Sequence, residues 1–265
     1  MRPRLIATDL DGTLLDDQRG LSERTVAAVR AAVAEGVEFV LVTARPPRTV
    51  APLAERLGGG IEALCGNGTL LAEFATGRTT LIHSFDADAA IEIVRQLRPV
   101  LPEAGFALET GFEVHYEAAF RVGAVGDDRR ILTEDLAAAA PATGSIIKVL
   151  SRSAERSADE MVELARKTLT VPAEISHSGG RGLLEIAPPG ASKASALEWL
   201  CLRRGITAAQ VAAFGDMPND LPMLRWAGIG YAVANAHPDV LAAADRVIGH
   251  HAQDGVAMAI ETLLT

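Results

Sequence analysis

The chain has 265 residues, which suits one large domain or two moderate ones with an ample apolar core. Its net charge of −9 and its scattered basic residues argue against a nucleic-acid or anionic-membrane partner, since such partners require clustered Lys and Arg. The two cysteines, Cys65 and Cys201, match no metal-ligand spacing, so reduced thiols are expected. With no signal-like or membrane-spanning apolar run, the sequence predicts a cytoplasmic protein, as a monomer or a small homo-oligomer.

The N-terminal part of the chain alternates between strand-like and helix-like patterns. Apolar runs at residues 4–10, 37–43 and 61–65 indicate buried strands. Apolar residues at helical spacing predict helices at 23–35 and 48–57. Strands and helices that alternate at this spacing favour right-handed βαβ units and a parallel sheet.

The pattern changes to α+β over residues 84–187, after two hairpin-type turns at 66–68 and 76–78. Predicted helices lie near 87–101, 133–140 and 157–169, and predicted strands near 106–109, 113–117, 145–150, 174–177 and 183–187. The earlier alternation then resumes, with helices at 192–204, near 219, at 238–244 and at 256–264, and strands at 211–215, 231–234 and 246–248. We therefore predict an α/β protein with a Rossmann-like parallel-sheet core, residues 1–83 and 188–265, and an α+β domain inserted at 84–187.

Two acids stand where the first predicted strand ends, in the sequence Asp9-Leu10-Asp11-Gly12-Thr13. Open α/β sheets bind ligands at this carboxyl edge, and side chains two apart in extended backbone share a face. One carboxylate can attack phosphorus, and the other can protonate the leaving oxygen and later activate water. The structural alternative is a pair of acids that cap the next segment, but the position after an apolar strand and before Gly-Thr favours chemistry.

Two further positions suit an anion. Thr43 ends the second predicted strand and precedes Ala44, so its hydroxyl and a backbone amide could hold a phosphate oxygen. Lys193 begins a predicted helix, at the end where the helix dipole disfavours a cation, which indicates a function in neutralising phosphate and acids. A turn-forming threonine and a solvated lysine are the plain alternatives for each residue taken alone.

The segment Gly215–Asp220 follows another predicted strand and carries Asp216, Asn219 and Asp220. Placed beside the first two acids, these carboxylates concentrate negative charge around a phosphate, so the site needs a divalent cation. A small number of hard oxygen ligands with room for water favours Mg²⁺. Acids that cap a helix are the alternative, but Gly-Asp-x-x-Asn-Asp after a buried strand is a more specific pattern than a cap.

Together these motifs resemble those of the haloacid dehalogenase-like phosphatases, in particular the Cof-type hydrolases, which carry a large cap between their second and third motifs. Asp9–Thr13 is similar to the first motif, Thr43 to the second, Lys193 to the third and Gly215–Asp220 to the fourth. Their order and spacing cover nearly the whole chain, and the insertion at 84–187 falls where this subfamily has its cap domain.

The resemblance implies a role for each of these residues. Asp9 is expected to be the nucleophile and a Mg²⁺ ligand, and Asp11 the acid and base, with its carbonyl on the metal. Asp216 is expected to bind Mg²⁺, and Asp220 to support the site or to bind the metal directly. The residues expected to hold the phosphate are Leu10, Thr43, Ala44, Lys193 and Asn219.

These expectations describe a Mg²⁺-dependent phosphatase that transfers phosphate from a small phosphorylated metabolite to Asp9 and then to water. Two alternatives stay open: a phosphomutase or phosphotransferase that uses the same aspartate, and a non-catalytic sugar-phosphate-binding protein. In the cap, Arg181 is the candidate substrate contact. The chain departs from the family near its end, where His250-His251-Ala252-Gln253 stands in place of an expected asparagine before Asp254, so no substrate contact is assigned there.

Overall fold

The structure, a computed structural model, describes residues 2–120, 129–177 and 182–265. The chain forms two compact units. Unit 1 comprises Met1–Arg45, Thr49–Thr80 and Ser192–Thr265, and unit 2 comprises Pro46–Arg48 and Leu81–Ala191. Arg181, the candidate cap residue, lies outside the described residues. Within the described ranges, every helix is too short or too polar to cross a membrane.

Short strands and helices alternate through the first part of the chain. They are β1 (Leu5–Thr8), α1 (Glu23–Ala34), β2 (Glu38–Val42), α2 (Pro47–Leu57), β3 (Glu62–Cys65), β4 (Leu70–Glu73) and β5 (Arg78–Leu81). Helix α1 begins after Ser22, whose side chain accepts a hydrogen bond from the Thr25 N–H, because the first N–H groups of a helix have no partner inside it.

The middle of the chain has the α+β character that its sequence indicated. Its elements are α3 (Ala87–Leu97), β6 (Gly105–Glu109), β7 (Val114–Tyr116), β8 (Arg130–Leu132), α4 (Leu136–Ala139), β9 (Lys148–Arg152), α5 (Ala158–Thr168), β10 (Glu174–Ser176) and β11 (Leu183–Ala187). The helix predicted near residues 133–140 was wrong in its length, because the observed helix covers only Leu136–Ala139. Asp135 has extended backbone and its carboxylate accepts hydrogen bonds from Ala137 and Ala138 N–H, so the helix begins only after Asp135.

The last part of the chain returns to strict alternation. It contains α6 (Lys193–Arg204), β12 (Val211–Gly215), α7 (Leu221–Trp226), β13 (Ile229–Val233), α8 (Pro238–Ala243), β14 (Arg246–Ile248) and α9 (Gly255–Leu264). Gly205 ends α6 in the left-handed conformation, with φ of 61°, which glycine adopts without steric cost. A 3₁₀ turn, Pro218–Asp220, leads into α7.

Unit 1 is built on an eight-stranded sheet in the order β14-β13-β12-β1-β2-β3-β4-β5. The strands from β14 to β3 run parallel, and β4 returns antiparallel to β3. Leu5, Leu41 and Phe214 on the central strands are 0% exposed, as expected for a sheet buried on both faces. The chain moves away from β1 in one direction through β2 and in the other through β12, so the switch point for ligand binding lies at their carboxyl ends.

Unit 2 is built on a six-stranded sheet in the order β10-β11-β9-β6-β7-β8. Its neighbouring strands are antiparallel except for the pair β7 and β8. Phe106 and Leu108 of β6 pack into a core with Ile93 and Leu97 of α3. Because side chains alternate along a strand, Glu109 lies on the other face, where the register pairs it with Lys148. The predicted α/β fold with a parallel-sheet core is confirmed by the strand order of unit 1.

Candidate active site

Three polar side chains lie at the switch point of the unit 1 sheet. Asp9 follows β1, Thr43 follows β2 and Asp216 follows β12, and these three strands are neighbours in the sheet. The Asp9 N–H donates to the Phe214 carbonyl over 3.0 Å, which extends the pairing of β1 and β12 up to the two acids. Parallel pairing therefore brings together residues that are about 200 positions apart in the chain, as the strand-end argument predicted.

Asp9, Asp216 and Asp220 form a compact carboxylate cluster. One oxygen of each lies within 4.8 Å of the others, and all three residues are buried. The Lys193 Nζ donates to Asp9 Oδ1 and to Asp220 Oδ1, each over 2.6 Å, and Lys193 is only 2% exposed. Ser192 caps α6 and so fixes the point from which the lysine side chain reaches the acids.

Burial sets the electrostatics of this cluster. It raises the pKa of Asp9 well above its usual value, with Lys193 opposing the rise and the other two acids adding to it. Burial likewise raises the pKa of Asp216 to about 6, assisted by Asp220. Burial alone would lower the pKa of Lys193, but Asp220 and Asp9 outweigh it and raise the pKa. Three carboxylates thus share one ammonium group, and a bound cation would relieve the excess negative charge.

The donor atoms in the cluster fit a divalent cation that prefers oxygen. Asp220 uses Oδ1 for Lys193 and Oδ2 for the N–H groups of Asp216 and Met217, each over 3.0 Å, so its oxygens already have partners. Among the described residues, Asp216 accepts hydrogen bonds only at Oδ1, from the Thr13 hydroxyl over 2.7 Å. Its Oδ2 lies 2.4 Å from the point where a Cβ on Gly12 would stand, so only glycine fits there. The oxygens best placed for a metal belong to Asp9 and Asp216.

The second acid of the first motif is oriented differently. Asp11 lies in the loop Leu10–Leu14 with extended backbone, φ −77° and ψ 117°, and its carboxylate is outside the compact cluster of three acids. The Arg45 Nε donates to Asp11 Oδ2 over 2.6 Å, and the Arg45 Nη2 donates to Asp11 Oδ1 over 2.5 Å. The carboxylate of Asp11 is therefore held by a bidentate ion pair and is partly open to solvent.

The other residues predicted to contact phosphate differ in their burial and in their hydrogen bonds. Thr43 is 1% exposed and its hydroxyl accepts a hydrogen bond from the Arg45 N–H over 3.1 Å. Leu10 is fully buried, so only its backbone can serve a ligand, and Ala44 is half-buried. Asn219 donates from Nδ2 to the Asn67 Oδ1 over 3.3 Å. Its own Oδ1 is buried and has no hydrogen-bond partner among the described residues.

The chain is similar in sequence to a known family of hydrolases. Residues 6–260 match the model of the haloacid dehalogenase-like hydrolases. The chain belongs to this family. It is 29% identical over 275 residues to a 5-amino-6-(5-phospho-D-ribitylamino)uracil phosphatase of Bacillus subtilis, covering 97% of this chain and 94% of that protein. It is also 29% identical over 268 residues to an HMP-PP phosphatase of Cronobacter sakazakii, covering 96% of this chain and 93% of that protein.

The structural comparison agrees with the sequence relatives. A haloacid dehalogenase-like hydrolase from Bacteroides thetaiotaomicron superimposes with a TM-score of 0.81 at 26% identity, covering 98% of each chain. The predicted family and fold class are therefore confirmed, and so is the prediction of an enzyme that hydrolyses phosphoric monoesters.

In this hydrolase, Asn67 and Asn235, which carried no predicted role, support the site. Asn67 follows β3 and has a left-handed backbone, with φ of 60°, and its N–H donates to the Thr43 carbonyl over 2.9 Å. The pattern Gly66-Asn67-Gly68 predicted only a turn. Its position at the same sheet edge as Thr43 was the signal that could have placed Asn67 at the site.

Asn235 connects the first motif with the end of the chain. Its Nδ2 donates to the Gly12 carbonyl over 2.8 Å, and its Oδ1 accepts from the His251 N–H over 3.0 Å. The His251 ring makes a 2.6 Å hydrogen bond with the Leu15 carbonyl. His251, in the segment that departs from the family pattern, therefore holds the loop after the first motif through Leu15 and Asn235.

Proposed function

We propose that this hydrolase is a Mg²⁺-dependent phosphatase that removes phosphate from a small phosphorylated metabolite through a phosphoryl group on Asp9. The observation that carries the proposal is the cluster of Asp9, Asp216 and Asp220 around Lys193, at the switch point of a parallel sheet. Such a cluster is unfavourable for an apoprotein, since buried like charges repel, and it becomes favourable when it binds a cation.

Asp9 is the group we assign as nucleophile. Its Oδ1 is held by Lys193, which leaves Oδ2 to attack phosphorus. The rigid hydrogen bond from the Asp9 N–H to β12 fixes the carboxylate at the strand end, so the attacking oxygen is positioned before the substrate arrives. In the first step, a bond forms between Asp9 and phosphorus while the bond to the leaving alkoxide breaks. In the second step, water attacks phosphorus and releases the Asp9 carboxylate.

The other residues of this chain bind charge and move protons. Lys193 offsets negative charge on Asp9 and on the incoming phosphate, and the Thr43 hydroxyl with the Asn219 amide can donate to phosphate oxygens. We assign to Asp11 the transfer of a proton to the leaving alkoxide and the later removal of a proton from water. When bound by Asp9 and Asp216, Mg²⁺ would supply charge neutralisation at the phosphate, with Asp220 holding Lys193 and the Asp216 turn in place.

The substrate class follows from the relatives and not from the geometry. The two relatives described above are named for the dephosphorylation of different small metabolites, a phosphorylated ribityl compound and HMP-PP. We therefore propose a small phosphorylated metabolite for this enzyme without choosing among sugar phosphates, nucleotides and phosphorylated cofactors.

The proposal is tested by measuring phosphate release from a panel of such compounds in Mg²⁺ and in excess chelator. We expect turnover only with Mg²⁺, and we expect the Asp9→Asn variant to be inactive while remaining folded. Full turnover in chelator would remove the metal from the proposal. Transfer of phosphate to an added sugar in preference to water would replace hydrolysis by a phosphotransferase reaction.

A further inference from the structure

Arg45 is fixed in unit 1 by its backbone as well as by its side chain. Its N–H donates to the Thr43 hydroxyl over 3.1 Å, and its carbonyl accepts from the Gly66 N–H over 3.0 Å. The guanidinium therefore extends from a backbone held at the ends of β2 and β3.

The side chain of Arg45 holds Asp11 with two of its three guanidinium nitrogens. The two contacts, over 2.6 and 2.5 Å, join Nε and Nη2 to the two carboxylate oxygens. This fork geometry is specific to arginine, because a lysine ammonium presents a point charge and cannot fix the plane of a carboxylate. Among the described residues, Arg45 provides the only hydrogen bonds to the Asp11 carboxylate.

The exposure of the pair argues against a mainly structural role. The side chains of Arg45 and Asp11 are 21% and 41% exposed, and ion pairs with such access to water add little to stability. The orientation of a catalytic group has a much larger effect, since a misplacement of about 1 Å can cost about 10²-fold in rate. We therefore expect the ion pair to affect the reaction rate through Asp11 more than the stability of the fold.

We propose that Arg45 is a positioning residue that sets the orientation of Asp11 for proton transfer at the leaving oxygen. The inference rests on the proposed function, in which Asp11 is the acid and base. The carboxylate has about four acceptor positions, so it keeps free lone pairs toward a ligand while Arg45 occupies one edge. Without Arg45, the Asp11 side chain would sample several rotamers, and only some of them would reach the leaving oxygen.

The test compares two aryl esters of nearly identical shape, phenyl phosphate and 4-nitrophenyl phosphate, with wild type, Arg45→Gln and Arg45→Lys in Mg²⁺. Phenol is the poorer leaving group and depends more on a proton from Asp11. We expect both variants to lose about tenfold more in kcat on phenyl phosphate than on 4-nitrophenyl phosphate, with KM nearly unchanged. Arg45→Lys keeps the charge without the fork, so it should resemble Arg45→Gln. Arg24→Gln, which breaks the bidentate and exposed pair with Glu261, is the matched control and should behave as wild type.

The decisive measurement repeats Arg45→Gln in the Asp11→Asn background. If Arg45 acts through Asp11, the second substitution causes no further loss on either ester. A loss that persists in this background, an equal loss on both esters, an effect on KM alone or no effect at all would each overturn the inference. These outcomes are separate from failure of the proposed function, which would appear as turnover by Asp9→Asn.

Discussion

Each unit of this hydrolase contains buried charges, but the two groups differ in balance. In unit 1, the carboxylates of Asp9, Asp216 and Asp220 surround the single ammonium of Lys193. In unit 2, the charges are matched: Lys148 pairs with Glu185, and Arg48 pairs with Glu109 over 2.6 and 2.7 Å. The side chains of Lys148 and Glu185 are as buried as those of unit 1, at 3% and 4% exposure.

The difference shows that burial alone does not mark a metal site. A buried pair of opposite charges carries no net charge, although it gains little in stability over apolar residues of the same size. Burial raises the pKa of both Asp9 and Asp216, and neighbouring carboxylates add to the rise, so the unit 1 cluster favours uptake of protons or of a cation. We therefore expect substitutions in the unit 1 cluster to change chemistry and metal binding, and substitutions in the unit 2 pair to change stability.

The largest effect is expected from Asp9→Asn. The substitution removes the attacking oxygen anion from the unbalanced cluster, so turnover should fall by on the order of 10⁴–10⁶-fold, as it does when other covalent nucleophiles are removed. The measurement is phosphate release with the best substrate of the panel, together with mass spectrometry of the acid-quenched wild type. A phosphoryl group found on any residue other than Asp9 would contradict the assignment.

The next effect concerns the balanced pair of unit 2. Lys148→Met removes the ammonium that pairs with the buried carboxylate of Glu185, so the free energy of unfolding should fall by about 3–5 kcal/mol. The double variant Lys148→Met, Glu185→Leu should recover part of the loss. Lys167→Met is the control, because its pair with Glu163 is 73% and 71% exposed and should contribute less than about 0.5 kcal/mol.

Urea unfolding measures these stabilities, and phosphate release per folded molecule measures function. Loss of turnover in Lys148→Met without a loss of stability would contradict the contrast between the two units. Such a result would give the balanced pair of unit 2 a part in the reaction.

A third prediction uses pH to expose the excess charge in unit 1. The raised pKa of Asp216, about 6, means that the metal-free folded protein binds more protons than the unfolded chain between about pH 4 and 6. Its stability therefore falls as pH rises through this window, and a bound cation restores it. Saturation at about 100 times the dissociation constant adds about 2.7 kcal/mol.

The rise in Tm caused by Mg²⁺ should accordingly be larger at about pH 8 than at about pH 5, where the cation competes with protons for Asp216. Differential scanning fluorimetry measures both shifts. Asp216→Asn should lose the metal-dependent shift at either pH. Equal shifts at the two pH values in the wild type would show that the cation binds away from this carboxylate.

The two groups of charges also differ in how much of them the sequence could predict. The positions of Asp9, Thr43 and Asp216 could be predicted, because apolar runs show where buried strands end and parallel strands share one carboxyl edge. The pairing of Lys148 with Glu185 could not, since it depends on the register of β9 and β11, which short strands do not encode locally.

The same limit applies at the edge of the site. Arg45 and Asp11 are 34 residues apart, and their contact depends on side-chain rotamers that no sequence pattern reveals. The different roles of Asp220 and Asp216 also could not be predicted from the sequence. Only the hydrogen bonds show that the Asp220 oxygens accept from Lys193 and from backbone N–H groups.

The smallest effect is expected at a neutral contact beside the unbalanced cluster, the hydrogen bond from Asn219 to Asn67. Asn67→Gly removes the side-chain amide but keeps the left-handed backbone, which glycine adopts at no steric cost. Stability should change little, since relief of the strained conformation offsets the greater freedom of glycine in the unfolded chain. Phosphate affinity should fall by up to about tenfold, because a neutral hydrogen bond contributes about 0.5–1.5 kcal/mol.

Asn67→Ala completes this test, because alanine removes the same amide and also strains the backbone, so it should lose both affinity and stability. Inhibition by inorganic phosphate in Mg²⁺ measures the affinity of each variant, and Asn219→Ala gives the limit that Asn67→Gly can reach. Wild-type phosphate affinity in Asn67→Gly would mean that the Asn67 side chain does not contribute to phosphate binding. A loss of phosphate affinity far beyond tenfold in Asn67→Gly would mean that this neutral contact matters as much as the charges at this edge of the sheet.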